Sequence, residues 1–365
     1  MSEISFSHIF LFLSPLLDSV ELYNIRDSYN TVVGPVLATL SGSPHMLRRI
    51  VLYIGSISMV IVKKSIVNFK NLRSLELLDA VSMSDFSLCE VLGTLPSLEN
   101  LALETYDHRS ASHPPRAPED SNSQSGGLRY FDALESLHVT GALVFIQRLL
   151  GFIDSPYLKS IEVSFIGYEP EPEDFLTSSM TIVASKWSRS LKKLTIDLNQ
   201  GTFANGMLFT DLHEIQTFRL VDARGMENNN DAVRCLAMSW PKLQTLALYS
   251  YRSPNQVFIS ISTIRIIAEN CPDLRCLEIQ LDISTIPPFD DTSSKSLCHN
   301  LEVLEIRHIL DVLGPDIMPQ KRLEYQIDVA RHLDLIFPYL KTIKVLDDNF
   351  PNLVKLCQDV RRRQI

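Results

Sequence analysis

The sequence predicts an α/β solenoid: a curved arc of about twelve strand-plus-helix units, with parallel strands on the concave face and helices on the convex face. Three observations predict it. A short aliphatic pattern recurs along all 365 residues, segments of helical periodicity lie between its copies, and a proline-bearing junction precedes several of them. An array of this kind is one domain however long it grows, because each unit packs only on its neighbours, so a single solenoid over 1–365 is expected.

The pattern is L-x-x-L-x-L with aliphatic substitutes. Its first copies are Leu17-Val20-Leu22, Leu47-Ile50-Leu52, Leu72-Leu75-Leu77, Leu98-Leu101-Leu103, Leu134-Leu137-Val139 and Leu158-Ile161-Val163. Then come Leu191-Leu194-Ile196, Ile215-Phe218-Leu220, Leu243-Leu246-Leu248, Leu274-Leu277-Ile279, Leu301-Leu304-Ile306 and Leu340-Ile343-Val345. The fourth and sixth positions alternate along a strand and point to one face, the first anchors the entry, and the positions between face solvent. One such unit cannot bury its apolar face alone, whereas parallel stacking makes a continuous core. This is a leucine-rich-repeat pattern. Its spacings run from 24 to 39 residues and the asparagine common after regular strands is matched only at Asn24, so the repeats are irregular.

Between the strands, Ala142–Ile153 carries Leu143, Ile146, Leu149 and Leu150 on one helical stripe; Ile261–Ala268 and Val329–Phe337 read the same way. A helix is wider than a strand, so the stack curves with the strands inside. Leu95-Pro96-Ser97-Leu98, Trp240-Pro241-Lys242-Leu243, Cys271-Pro272-Asp273-Leu274 and Phe337-Pro338-Tyr339-Leu340 share a junction in which proline ends the helix; Ser155-Pro156-Tyr157-Leu158 is close to it. Three polar insertions interrupt the array: 107–127, expected to be a disordered loop, the acidic run Tyr168–Glu173, and a polar loop at 284–296.

A net charge of −9 argues against a nucleic-acid partner, whose phosphates need a basic surface; Arg361-Arg362-Arg363 reads as a solvated helix end. No membrane association is expected. Ile4–Leu17 lacks the basic start of a signal peptide, and Ile50–Val62 falls short of the roughly twenty apolar residues of a spanning helix. Six scattered cysteines without a CxxC pair suggest an intracellular, cytoplasmic or nuclear, reducing setting. Cys271, Cys276 and Cys298-His299 are better read as repeat-junction and strand residues than as a metal site. No phosphate-binding, zincin or nucleophile-elbow motif occurs, and Ser136 with His138 on one strand face lacks an evident orienting acid, so a protein without catalysis, metal or cofactor is expected.

What remains is the concave face. The third, fifth and seventh motif positions line it with Glu21, Tyr23, Arg49, Tyr53, Glu76, Glu104, His138, Glu162, Asp197, Arg219, Tyr249, Glu278, Glu305 and Arg307. Lys193 and Lys344 occupy equivalent positions. Tyrosine and arginine are favoured anchors of protein interfaces, and Tyr23 and Tyr53 share one position of adjacent repeats, which predicts an aromatic patch. A broad rigid strip of this kind suits a protein better than a metabolite.

Leu13-Ser14-Pro15-Leu16-Leu17, Lys186-Trp187-Ser188-Arg189-Ser190-Leu191, Trp240-Pro241-Lys242-Leu243-Gln244-Thr245-Leu246 and Ile267-Ala268-Glu269-Asn270-Cys271-Pro272-Asp273-Leu274 resemble the F-box-associated leucine-rich-repeat proteins of mushroom-forming fungi. The closing stretch from Val329 through His332 to Leu340 is similar to that group's C-terminal unit. The resemblance implies a substrate-selecting repeat array, joined through an F-box to a cullin-based ubiquitin ligase. Residues Met1–Pro15 cannot hold an F-box of about 45 residues and no Leu-Pro-x-Glu opening is present, so a contact with the cullin-ligase adaptor is expected only if an F-box is supplied. The alternative is a scaffold or inhibitor without a tie to ubiquitin.

Overall fold

The computed structural model describes residues 16–23, 30–42, 46–53, 59–80, 86–105, 130–166, 173–198, 209–221, 229–250, 258–284, 286, 297, 299–310, 319–347, 350 and 352–364. The insertion at 107–127, most of the acidic run, most of the 284–296 loop, Asn24 and Cys298 lie outside them. The chain divides into two compact units, Met1–Glu169 and Pro170–Ile365.

The first unit alternates strands and helices: β1 (Ser19–Leu22), α1 (Asn30–Gly42), β2 (Arg49–Tyr53), α2 (Met59–Ile66), β3 (Ser74–Ala80), α3 (Ser87–Gly93), β4 (Asn100–Thr105), β5 (Ser136–Gly141), α4 (Leu143–Phe152) and β6 (Ser160–Phe165). Its strands pair in parallel, in chain order. The register carries each leucine position into line. Val20, Ile50, Leu75, Leu101, Leu137 and Ile161 form one row, and Leu22, Leu52, Leu77, Leu103, Val139 and Val163 the next. From β2 onward these side chains are fully or almost fully buried, so the two rows are the spine of the core. The apolar stretch Ile50–Val62 is divided between β2 and the start of α2.

The second unit holds α5 (Glu173–Trp187), β7 (Lys193–Asp197), β8 (Thr217–Val221), α6 (Asn229–Ser239), β9 (Thr245–Tyr249), β10 (Phe258–Ser260), α7 (Ile261–Asn270), β11 (Cys276–Asp282), β12 (Val303–Leu310), α8 (Pro319–Ile336), β13 (Thr342–Val345) and α9 (Leu353–Gln364). Again the strands are parallel, with Leu194, Phe218, Leu246, Leu277, Leu304 and Ile343 in one row. All twelve motif copies fall on strands. Among the described residues one further strand, β10, lacks the motif; it pairs with Gln280–Asp282 of β11 beyond the point where β9 ends.

Two backbone devices set the repeat. In the Pro junctions the N–H of the motif leucine donates back three residues: Leu243 to Trp240 O at 3.1 Å, Leu274 to Cys271 O at 3.1 Å and Leu340 to Phe337 O at 3.2 Å. Proline stands second in each turn, where its fixed φ suits a type I geometry and its missing N–H costs nothing. In the Ser155 variant the hydroxyl does similar work, donating to Leu134 O at 2.6 Å and accepting from Tyr157 N at 3.2 Å. The second device is a shared carbonyl. The second motif residue of one repeat accepts two successive N–H groups from the next, as Asp18 O does from Arg48 (2.8 Å) and Arg49 (3.1 Å), and Gln244 O from Arg275 (2.8 Å) and Cys276 (3.1 Å).

That second position is polar in all twelve copies, and its side chains pair along the stack: Arg73 with Glu99 at 3.2 Å, Lys159 with Glu135 at 2.9 Å, Lys341 with Glu302 at 3.2 Å. Helix α4 runs where its stripe predicts and buries Leu143, Ile146, Leu149 and Leu150. Helix α8 begins ten residues before the expected Val329, because its first half packs few apolar residues and gives no stripe to read. Phe131 has φ of 62°, a left-handed conformation rare for a bulky residue, and its ring is fully buried while its N–H donates to Gly93 O at 3.0 Å.

Candidate functional site

The face turned away from the helices carries the third, fifth and seventh motif positions, and in each unit their side chains form a network. In the first unit the centre is Arg49, at the start of β2. Its Nη1 lies 2.8 Å from Glu21 on β1 and its Nη2 3.0 Å from Glu76 on β3. Arg49 is level with Ser19 and Ser74 in the register, so the guanidinium reaches up both flanking strands to carboxylates two residues further on. The second oxygen of Glu21 accepts the Tyr23 hydroxyl at 2.8 Å, and that hydrogen bond, first among several causes, raises the tyrosine pKa. The hydrogen bond to Glu76 likewise raises that of Arg49.

The rings of Tyr23 and Tyr53 meet with centroids 5.4 Å apart and planes tilted by 47°. They remain 52% and 37% exposed. Glu21, Tyr23, Arg49, Tyr53 and Glu76 thus make one contiguous group. Glu104, on β4, and the pair His138 and Glu162, with Nδ1 3.5 Å from Oε1, continue the same face across β4, β5 and β6. About two fifths of each side chain in that pair is open to solvent.

In the second unit Arg219 Nη2 donates to the Tyr249 hydroxyl at 3.0 Å and Arg219 Nη1 lies 3.2 Å from Glu278. Arg307 reaches the other Glu278 oxygen at 3.2 Å and Glu305 at 2.6 Å, and its guanidinium lies 4.3 Å from the centroid of the Tyr249 ring, a cation–π arrangement. Lys344 closes the row, 3.6 Å from Glu305. Burial works against the Arg219 charge, but the bonds to Tyr249 and Glu278 outweigh it and its pKa is raised. Asp197, level with Val221, stands on the same face at β7.

Tyr249 and Glu278 are only 5% and 8% exposed, where solvent-facing side chains were expected. The reason is a β-bulge. β11 and β12 stay in step to Ile279 and Ile306, then Gln280 pairs with His308, leaving Arg307 as the extra residue. A bulge turns two successive side chains to one side, and here it lets Arg307 fold back over Tyr249 and Glu278. It also brings in His308, which motif spacing gives no reason to place there. His308 Nδ1 is 2.6 Å from the buried Asp347, which also accepts the Ile309 N–H at 2.9 Å. The one available signal is Leu304-x-Ile306-x-x-Ile309, where the aliphatic alternation slips by a residue. Gln280 is buried on this face too, its amide nitrogen donating to Ser250 O at 2.8 Å.

Elsewhere the second unit has an open depression of about 820 Å³ lined by residues of α5 and the approach to β8, including Arg189, Asp211, His213 and Glu214. Its Glu214 is committed to Lys242 at 2.7 Å, a contact that lowers the carboxyl pKa. Among the described residues no group of three or more His, Cys, Asp or Glu is placed to hold a metal, and no helix is long and apolar enough to cross a membrane. His299, near the cysteines weighed above, hydrogen-bonds the Cys271 carbonyl at 2.9 Å and meets Phe337 edge-on.

These features define the class: an α/β leucine-rich-repeat solenoid with a polar and aromatic open face. No protein-family model matches the chain, and no curated protein matches its sequence. Among solved structures it is similar to Rad7 in its complex with Elc1 in yeast (13% identity, TM-score 0.42, 80% of this chain and 79% of that one). It is also similar to the leucine-rich-repeat-containing protein LegL7 from Legionella pneumophila (11%, 0.40, 94% and 98%). A third similarity is to TLR13 in its complex with ssRNA13 (14%, 0.41, 91% and 43%).

Proposed function

We propose that this chain is a non-enzymatic protein–protein recognition module whose open sheet face is the binding surface. The observation that carries the reading is the group around Arg49: two exposed tyrosine rings in mutual contact beside a guanidinium fixed by two carboxylates. Side chains already held in one geometry lose little entropy when a partner arrives, and aromatic and arginine side chains supply most interface energy. The test uses a photo-crosslinking residue at Tyr53, with another on the outer helix α7 at Arg265 as control. Partner adducts should form from Tyr53, and Tyr23→Ala with Tyr53→Ala should weaken the captured partner's affinity, each by on the order of 1–2 kcal/mol. Adducts from Arg265 alone, or unchanged affinity in the double variant, would overturn the reading.

The sequence resemblance supports a finer version, in which the face selects substrates for a cullin-based ubiquitin ligase once an F-box is supplied. Co-purification with the ligase adaptor checks it. Loss of the adaptor with other partners retained would remove the ligase link and leave the recognition module.

A further inference from the structure

Toward the C-terminal ends of β10 to β13 the open face of the second unit gathers Phe258, His308, Leu310 and Leu346. We infer that these four form a socket for a tyrosine side chain of a partner protein, its hydroxyl on His308 Nε2 and its ring on the three apolar side chains. The inference rests on the recognition reading above and adds a second contact on the open face, with the residue type it takes.

The register brings the four together. Phe258 and His308 are both level with Gln280, on the strand between them. Two strand spacings, roughly 9.6 Å, separate their backbones, yet their ring centroids stand 5.9 Å apart with planes tilted by 46°. Both rings therefore lean inward over Gln280, which is 1% exposed. Along β12, Ile309 turns into the core and Leu310 turns out beside His308. Leu346 carries β13 one residue further, its N–H donating to Ile306 O at 2.9 Å, and alternation puts its side chain on the side of Lys344. Leu310 and Leu346 are 37% and 54% exposed, and the His308 side chain 44%. Single exposed leucines are ordinary; this group differs in having a fixed polar atom among its apolar surfaces.

That atom is His308 Nε2. A carboxylate only accepts, so the 2.6 Å contact with Asp347 places a hydrogen on Nδ1 and holds the ring in one orientation. Asp347 is itself fixed by the Ile309 N–H. Among the described residues Nε2 has no hydrogen-bond partner. In the neutral ring Nε2 accepts a hydrogen bond, and in the cation it donates one. The tyrosine hydroxyl does both, so it pairs with this imidazole in either state, whereas tryptophan only donates and phenylalanine does neither. A ring held before the partner arrives also loses little entropy on binding.

The experiment selects phage-displayed random dodecapeptides on the immobilised chain and measures their affinities by fluorescence anisotropy in a double-mutant cycle. The variant is His308→Asn, which keeps an N–H donor for Asp347 and removes Nε2; Leu346→Ala probes the apolar wall without touching that bond. Selected peptides should share a tyrosine whose replacement by phenylalanine costs about tenfold against the native chain and less than about twofold against His308→Asn. Leu346→Ala should weaken them several-fold. Bound peptide should also slow carbethoxylation of His308 by diethyl pyrocarbonate, read by mass spectrometry, and leave His138 of the first unit unaffected. Peptides without tyrosine, or a phenylalanine exchange that costs the same against both chains, would overturn this inference. So would peptides that respond to Tyr53→Ala alone, and in all three cases the recognition reading stands. If no peptide is retained, both fall. Circular dichroism of each variant confirms that a lost affinity is not a lost fold.

Discussion

At the scale of single residues, the same chemical type plays opposite parts according to cover. Tyr23 is half-exposed and Tyr249 is buried, though both occupy the outward side of a strand, because only Tyr249 has an arginine folded over its ring. Arg307→Ala is expected to uncover Tyr249 and leave Glu278 with one cation in place of two, at a cost of about 1–3 kcal/mol, read from urea denaturation. The cysteines show the same dependence. Burial pushes the thiols of Cys89 and Cys271 up to about 12, so at pH 8 only about one in ten thousand of each is thiolate. Alkylation in the native state should therefore be slow at Cys89 and Cys271 and faster at the half-exposed Cys235 of α6, with the difference vanishing in urea; mass spectrometry of labelled peptides measures it. Rapid native labelling of Cys271 would contradict its placement behind the Pro272 junction.

At the scale of elements, periodicity was readable wherever a stripe or a turn residue repeated, and unreadable where one side chain from another repeat does the work. Helix α7 is the clearest case. Its N-cap Ser260 accepts from Thr263 N at 3.3 Å, an ordinary cap that Ser-x-x-Thr spacing allows. What fixes the cap is Asn230 of α6, whose Oδ1 accepts both the Ser260 N–H at 2.9 Å and the Thr263 hydroxyl at 2.8 Å. Asn230→Ala should leave the Ser260 N–H without its acceptor and the Thr263 hydroxyl with only the Ser260 hydroxyl at 3.1 Å, destabilising the second unit by about 1–3 kcal/mol, while Asn230→Asp should retain most of that stability; thermal and urea unfolding followed by circular dichroism distinguish them. Strand β10 escaped notice for a related reason: three residues without the leucine pattern become a strand because β11 offers them an unpaired edge.

For each unit as a whole, neighbour-only contacts predict local failure. Leu304 is fully buried between Leu277 and Ile343 in the core row. Leu304→Ala should cost on the order of 2–5 kcal/mol. Hydrogen exchange should rise in β11, β12 and β13 and hardly change in β7 and β8, since a repeat array couples each unit chiefly to the next. Uniform loss of protection across the second unit would show instead a single cooperative block.

The α/β solenoid, its twelve motif strands, their parallel order and the membership of the open face follow from a period of aliphatic residues, because a strand's alternation assigns each side chain to a face without reference to its neighbours. Tyr23 and Tyr53 could be paired from sequence for that reason: equal position in adjacent repeats means adjacency in space. The bulge at Arg307, the cover over Tyr249, the recruitment of His308 by Asp347 and the bridging of Glu21 and Glu76 by Arg49 depend on register slips, side-chain reach and burial. Those are set by contacts between residues up to 59 positions apart, as Arg219 and Glu278 are, and only folding brings such residues within hydrogen-bond distance.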